Sequence, residues 1–124
     1  MKPLVKKSDY HSIKKILTAT VSLGYQKDAL LLERELRNCE IVADHLVNDL
    51  VVRLGSTVTV LDTGQGKNIR VTLVPPQDSN VTAGHISIMA PLAVALLGFQ
   101  EGHEFSWTLP SGERRLRILK VQQP

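Results

Sequence analysis

The chain has few aromatic residues, a single cysteine and no long apolar run. Aromatic residues make up only 4% of the 124 residues, which argues against a single-strand nucleic-acid platform, because such platforms stack bases on aromatic rings. The lone Cys39 cannot form an internal disulfide or belong to a cysteine-based zinc motif. No apolar run approaches the roughly 20 residues of a membrane span, and the start lacks the apolar stretch of a signal peptide. We therefore expect a cytoplasmic protein without structural zinc or membrane contact.

Charge is unevenly distributed over the first 53 residues. The net charge is only +3 at pH 7, but residues 1–27 contain six basic residues and one acidic residue, whereas residues 28–53 contain three basic and six acidic residues. Opposite signs favour antiparallel pairing of these two segments as much as they indicate a nucleic-acid patch. We expect the pairing, and no direct sequence-specific contact with nucleic acid.

The N-terminal part of the chain has helical periodicity. After Ser8, a suitable N-cap, one stripe ends before Gly24, and a second stripe steps by three and four residues as a heptad seam. The stripes consist of Tyr10, Ile13, Leu17 and Thr20, and of Ala29, Leu32, Leu36, Cys39, Ala43 and Leu46. They predict a short antiparallel helical hairpin, or coiled coil, that extends some 20 to 30 Å at about 1.5 Å per residue.

From residue 56 onward the pattern changes to the alternation typical of β-strands. Two strands flank the turn at residues 62–67, and Pro75-Pro76 ends the second strand. Residues 85–89 predict a third strand, and Pro91 starts a short helix that stops at Gly98. Strands at 104–109 and 114–121 flank a turn at residues 110–113. The order α, α, β, β, β, α, β, β predicts an α+β fold, with residues 1–53 and 54–124 as its two parts.

Residues that often carry chemistry give weak signals in this chain. Asp62-Thr63-Gly64 follows a strand, as the catalytic carboxylate of an aspartic protease does, but the glycine-rich continuation favours a plain turn. The four histidines are dispersed, and no pair has the i, i+4 spacing of a metal site. Cys39 is predicted to be a small buried hydrophobe. We expect neither a metal nor a cofactor.

The segment from residue 87 to 112 resembles a known family. Its Pro91, Ala95-Leu96-Leu97-Gly98, Gly102 and Pro110-x-Gly112 have the spacing of the C-terminal domain of the Gre transcript-cleavage factors, and the similarity extends over residues 54–121. Gre factors usually have serine before the proline and a basic residue after the helix-ending glycine. Because this chain has Ala90 and Phe99 there, it resembles more closely the Gre-like regulator of nucleoside diphosphate kinase.

The resemblance implies a fold and a partner. The fold is an FK506-binding-protein-like antiparallel sheet with one short helix, preceded by the helical hairpin. The partner is bacterial RNA polymerase, at whose secondary channel the globular domain of Gre factors docks while the tip of the helical arm enters. The docking residues implied by this analogy are Met89, Ala90, Pro91 and Leu92. The residues at the arm tip are Tyr25, Gln26, Lys27 and Asp28.

The arm tip bears on the activity that the resemblance implies. Gre factors deliver acidic residues to the magnesium of the polymerase, and such a site needs at least two carboxylates, but here only Asp28 is acidic. We therefore expect a monomeric, non-enzymatic regulator that occupies the channel and competes with Gre factors. One alternative is a Gre-type transcript-cleavage elongation factor that uses Asp28 with Glu33. A second alternative is a dimeric aspartic protease that uses Asp62.

Overall fold

Two long helices precede a β-sheet in the computed structural model, which describes residues 2–109 and 112–124. The helices are α1 (Lys7–Ser22), α2 (Gln26–Asn38) and α3 (Pro91–Leu96). The strands are β1 (Leu4–Lys6), β2 (Glu40–Val42), β3 (Thr57–Asp62), β4 (Lys67–Val74), β5 (His85–Ser87), β6 (Glu104–Leu109) and β7 (Gly112–Gln122). The predicted order is confirmed apart from the short strands β1 and β2, which the periodicity missed.

The main sheet has the strand order β5-β4-β3-β7-β6. Its pairs are antiparallel except for β4 and β5, which run parallel at one edge. Along β3 every second side chain is buried, and Val58 and Val60 point into the core because successive side chains of a strand alternate between faces. The predicted α+β fold, a helical hairpin followed by a mainly antiparallel sheet with one short helix, is confirmed.

The helical hairpin turns at Gly24, as predicted. The amide of Tyr25 donates to the carbonyl of Thr20 at 3.0 Å, and the amide of Gly24 donates to the carbonyl of Val21 at 3.0 Å. This pair of hydrogen bonds is a Schellman motif, which requires the left-handed conformation that Gly24 adopts at φ 90°. The hairpin buries Ile13, Leu17, Ala29, Leu32 and Leu36 against the sheet and α3.

The predicted extension of the second helix to Leu46 is wrong. Helix α2 ends at Asn38, and the chain continues as β2, which pairs in parallel with β1. A short 3₁₀ turn at Asp44–Leu46 leaves the Leu46 side chain 60% exposed. The heptad spacing of Ala43 and Leu46 was therefore coincidental, because pairing with the distant β1 takes the backbone out of the helix.

The N-terminus of α1 also differs from the prediction. Lys6, not Ser8, occupies the N-cap position, and its side chain makes no capping hydrogen bond. The amide of Ser8 instead donates to Oδ1 of Asp44 at 3.1 Å. A carboxylate more than 30 residues away along the chain thus satisfies one of the free amides at this helix end.

Backbone hydrogen bonds join the N-terminal part to the sheet domain, and an ion pair within the N-terminal part holds its last residue, Arg53, against α1. The amide of Leu4 donates to the carbonyl of Gly98 at 3.0 Å, directly after α3. Nε and Nη2 of Arg53 donate to the two carboxylate oxygens of Asp9 at 2.8 and 3.0 Å, which is a bidentate ion pair. The division into residues 1–53 and 54–124 remains a prediction, although Arg53 at this boundary contacts α1.

The C-terminal hairpin consists of β6 and β7 in antiparallel register. Pro110 and Ser111 of its predicted turn lie outside the described residues. Among the described helices, none is both long and apolar enough to cross a membrane.

Candidate functional site

A mostly apolar groove of about 820 Å³ lies between the helical hairpin and the sheet domain, and we call it the arm groove. One wall belongs to α1 and the hairpin turn, and the other belongs to the segments on either side of β5. The lining residues are Lys15, Ile16, Ala19, Thr20, Leu23 and Tyr25 on the first wall, and Pro76, Gln77, Ser87, Met89, Ala90 and Pro91 on the second. The groove therefore joins the arm to the segment that the resemblance singled out.

A tight turn positions the second wall. The Ile88 amide donates to the carbonyl of Val74 at 2.7 Å, while Ser87 receives the Met89 amide on Oγ at 3.1 Å and the Ala90 amide on its carbonyl at 2.9 Å. Pro91 then occupies the first turn of α3, where its missing N–H costs no hydrogen bond. These contacts fix the backbone from β5 into α3, so the second wall is preorganised.

The first wall is supported by the buried stripe of α1. Ile13 and Leu17 face the core, so Ile16 and Ala19 lie on the adjacent face of the helix, toward the groove. At the end of the arm, Leu23 is 74% exposed and Tyr25 is 58% exposed. The arm therefore presents apolar surface beside the groove.

The structure brings together four of the eight residues predicted from the resemblance. Met89, Ala90 and Pro91 line the groove with Tyr25. Leu92 is half-buried and packs against the core instead. Gln26 and Lys27 are exposed in the first turn of α2 and do not line the groove.

Asp28 lies on α2 by its backbone, but its side chain is outside the described part of the chain. The acidic character of the tip therefore has to be judged from the sequence, in which residues 10–27 contain no aspartate or glutamate.

The α1 wall of the groove was not predicted from the sequence. Its signal was present in the helical spacing of Ile16, Ala19 and Leu23, a second stripe beside the buried one. The stripe forms a wall because the short arm folds back along the domain.

Asp62 forms the plain turn that the sequence favoured. Its side chain is 2% exposed, and Oδ1 accepts the amides of Gly64 at 3.1 Å and Gln65 at 3.2 Å. Oδ2 lies 3.5 Å from Nη1 of Arg114. Because this carboxylate is buried and holds a turn, the aspartic protease interpretation has no support.

Cys39 is half-buried at the C-cap of α2 and packs against the core. Burial, and to a lesser degree the negative charge of Glu35, raises the pKa of its thiol to about 11. Within residues 2–109 and 112–124, no group of three or more His, Cys, Asp or Glu side chains is arranged to hold a metal ion. The chemistry of the arm groove is accordingly that of a binding surface with one cation, Lys15, on its wall.

The family described as "Transcription elongation factor, GreA/GreB, C-term" matches residues 47–123. The transcription elongation factor GreA of Helicobacter hepaticus is 38% identical over 86 residues, which are 69% of this chain and 53% of that protein. GreA of Sulfurovum sp. is 41% identical over 70 residues, or 56% of this chain and 43% of that protein. The chain thus spans about half the length of the curated relatives that it matches.

Solved structures match over the whole chain. A prokaryotic transcription elongation factor GreA/GreB from Nitrosomonas europaea is 30% identical, with a TM-score of 0.76 and 98% of both chains covered. The GreA factor homolog Gfh1 of Thermus thermophilus is 21% identical, with a TM-score of 0.51, and shares the fold. The names of these relatives support the elongation-factor alternative better than the kinase-regulator interpretation.

Proposed function

The chain belongs to the GreA/GreB transcription elongation factor family through its C-terminal domain, and on this premise we propose that it is a Gre-type factor that binds bacterial RNA polymerase through the arm groove. The observation that carries this proposal is the meeting of Met89, Ala90 and Pro91 with the arm in one apolar groove. An apolar groove rimmed by polar residues is a surface on which another protein can dock.

The proposal is tested by binding to the bacterial core polymerase. We expect the protein to co-elute with the polymerase in gel filtration at micromolar concentration, and an excess of a GreA factor to displace it. A protein that does not co-elute would overturn the proposal. Co-elution that GreA does not affect would place the contact on a different surface of the polymerase.

A matched pair of substitutions on α1 tests the groove itself. Ala19→Glu puts a charge on the groove wall, whereas Thr18→Glu puts the same charge on the neighbouring exposed position outside the groove. We expect Ala19→Glu to weaken polymerase binding at least about tenfold, because a charge buried in an apolar interface loses its hydration. The i, i+4 pair that it can form with Lys15 returns only about 0.5 kcal/mol. Thr18→Glu should bind as the wild type does. Equal weakening by both variants would mean that the groove is not the contact.

A second part of the proposal concerns what the bound protein does. We infer that it occupies the secondary channel and competes with Gre factors without stimulating cleavage itself. Supporting this, α1 and α2 contain 16 and 13 residues, so they extend only about 24 and 20 Å at about 1.5 Å per residue. The tip contains Leu23, Tyr25 and Lys27 around a single acidic residue, and one carboxylate does not make a second magnesium site.

An RNA-cleavage assay on backtracked polymerase complexes separates the two activities. We expect no added cleavage from the protein alone and less GreA-stimulated cleavage when both are present. Added cleavage that Asp28→Asn abolishes would instead establish a transcript-cleavage factor and overturn the occupancy mechanism. We further infer that any link to nucleoside diphosphate kinase is indirect, through the transcripts that polymerase makes.

A further inference from the structure

A second, smaller depression lies on the other side of Pro91 from the arm groove. It measures about 350 Å³ and is formed by α2, α3 and β6. Both phenylalanines and the only tryptophan of the chain line it, together with His103 and Glu35. We call these five residues, Phe99, His103, Phe105, Trp107 and Glu35, the aromatic box.

Three of the four rings of the box, those of Phe99, His103 and Phe105, form an ordered stack. The centroids of Phe99 and His103 are 4.0 Å apart with an angle of 6° between the rings, and those of His103 and Phe105 are 5.9 Å apart at 16°. Phe105 and Trp107 lie on the same face of β6, since they are two residues apart on one strand. All four rings, including that of Trp107, are half-buried, so the box remains accessible from the depression.

Backbone hydrogen bonds hold the rings in place. The carbonyl of Phe99 accepts the amide of Val52 at 2.8 Å, and the carbonyl of His103 accepts the amide of Ile118 at 2.9 Å. Because the residues that carry the first two rings are tied to neighbouring segments, the stack does not have to be assembled when a ligand arrives.

Glu35 gives the box its charge. It projects from α2, is half-buried, and makes no ion pair or side-chain hydrogen bond with the part of the chain that the structure describes. The neighbouring Glu33, in contrast, pairs with Arg37 at 3.5 Å. Burial lowers the pKa of His103, so its ring is neutral at neutral pH and adds no positive charge to the box.

We propose that the aromatic box binds the guanidinium group of an arginine side chain presented by a protein partner. Aromatic faces attract a cation through their quadrupole, and a planar guanidinium stacks on such faces. The Glu35 carboxylate is the matching acceptor, able to take a bidentate pair of N–H donors. If the proposed function holds, this partner is the polymerase, because Pro91 lines both the arm groove and the box.

The first test uses no polymerase and therefore does not depend on the proposed function. Trp107, the only tryptophan, reports on the box by its fluorescence during titration with N-acetyl-arginine amide. The neutral isostere N-acetyl-citrulline amide serves as the matched control. We expect a saturable change with the arginine compound alone. No change, or an equal change with citrulline, would overturn the proposal and leave the groove assignment intact.

Two variants test the two halves of the box. Glu35→Gln keeps the shape and removes the charge, and Phe99→Leu keeps an apolar side chain and removes an aromatic face. We expect each to weaken binding of the arginine compound by about three- to tenfold. Glu33→Gln on the same helix is the control and should bind as the wild type does. Wild-type binding by both box variants would overturn the proposal.

Polymerase then identifies the source of the arginine. We expect Glu35→Gln to weaken polymerase binding by about three- to tenfold while Glu33→Gln does not. Sedimentation of the free protein tests a second copy of this chain as the alternative occupant. If the free protein is a dimer and Glu35→Gln dissociates it, the arginine comes from a second copy of this chain. That result would overturn the proposal that a different protein supplies the arginine.

Discussion

At the scale of single residues, Cys39 illustrates how position controls reactivity. Its Sγ donates to the carbonyl of Glu35 at 3.2 Å, and burial, followed by the charge of Glu35, raises the pKa of the thiol to about 11. Only the thiolate reacts with electrophiles, so we expect alkylation by iodoacetamide at pH 8 to be about a hundredfold slower in the folded than in the unfolded protein. The rate should keep rising with pH through the range where an ordinary thiol levels off. A plateau at the ordinary thiol pKa would contradict this assignment.

Asp62 is a residue whose role is structural although its motif suggested catalysis. Asp62→Ala removes the acceptor of two turn amides and the partner of Arg114. We expect it to lower the free energy of unfolding by about 2 kcal/mol, measured by urea denaturation, since the amides lose their acceptor. Asp62→Asn retains an acceptor oxygen and should lose only about half as much. If both variants were as stable as the wild type, the turn would not depend on this side chain.

At the scale of elements, Gly98 joins α3 to the N-terminal strand. It adopts φ 84°, and a Cβ at this position would lie 2.6 Å from Cβ of Pro3 and 3.0 Å from the backbone of Leu4. Gly98→Ala therefore combines backbone strain with a clash that β1 has to relieve by moving. We expect a loss of about 3 kcal/mol in the free energy of unfolding, also measured in urea.

Gly102 provides the control for this prediction. It has a similar φ of 90°, but an added Cβ would meet no atom within 4 Å. Gly102→Ala thus carries the strain alone, and we expect a loss of about 1 kcal/mol. Equal losses in the two variants would show that the approach of β1 to Gly98 adds nothing to stability.

The elements also show which parts of the fold were predictable from sequence. Strands β3 and β4 and helix α3 were predictable because alternation, Pro91 and Gly98 are local signals. The end of α2 was not, because Ile41 and Val42 leave the helix to pair with β1, a contact between residues about 36 positions apart. Asp44 replaces Ser8 at the start of α1 for the same reason. Long-range contacts thus decided the features that periodicity missed.

The residues of the candidate site also fall into two groups, those that local sequence predicted and those that required the tertiary structure. Met89, Ala90 and Pro91 were predicted by resemblance, since their spacing is local. The groove wall at Ile16 and Ala19 depends on how the arm folds back, and the aromatic box depends on α2 meeting β6. Composition indicated only that aromatic residues are scarce, and their grouping at one depression required the tertiary structure.

At the scale of the whole molecule, the arm and the sheet share one core. The buried cluster contains Ile13 and Leu32 of the arm together with Val58 and Leu96 of the sheet domain. The amide of Val52 donates to the carbonyl of Phe99 at 2.8 Å, which links the same two parts. The Asp9–Arg53 pair, with side chains only 11% and 24% exposed, ties α1 to the end of the N-terminal part. A shared core is the condition for cooperative unfolding, so we expect residues 1–53 and 54–124 to unfold together.

We expect two probes of urea unfolding to give the same transition. One is the fluorescence of Trp107 on β6, which lies in the aromatic box where the sheet domain meets α2. The other is far-ultraviolet circular dichroism, which is dominated by α1 and α2. Arg53→Met leaves Asp9 without its partner. We expect it to lower the free energy of unfolding by about 3 kcal/mol and to shift the urea midpoints of both probes together. Arg37→Met removes an ion-pairing side chain that is 76% exposed and should cost at most about 0.5 kcal/mol. Separate transitions in the wild type would show that the two parts are independent domains, and the arm groove between them would then lack a fixed shape.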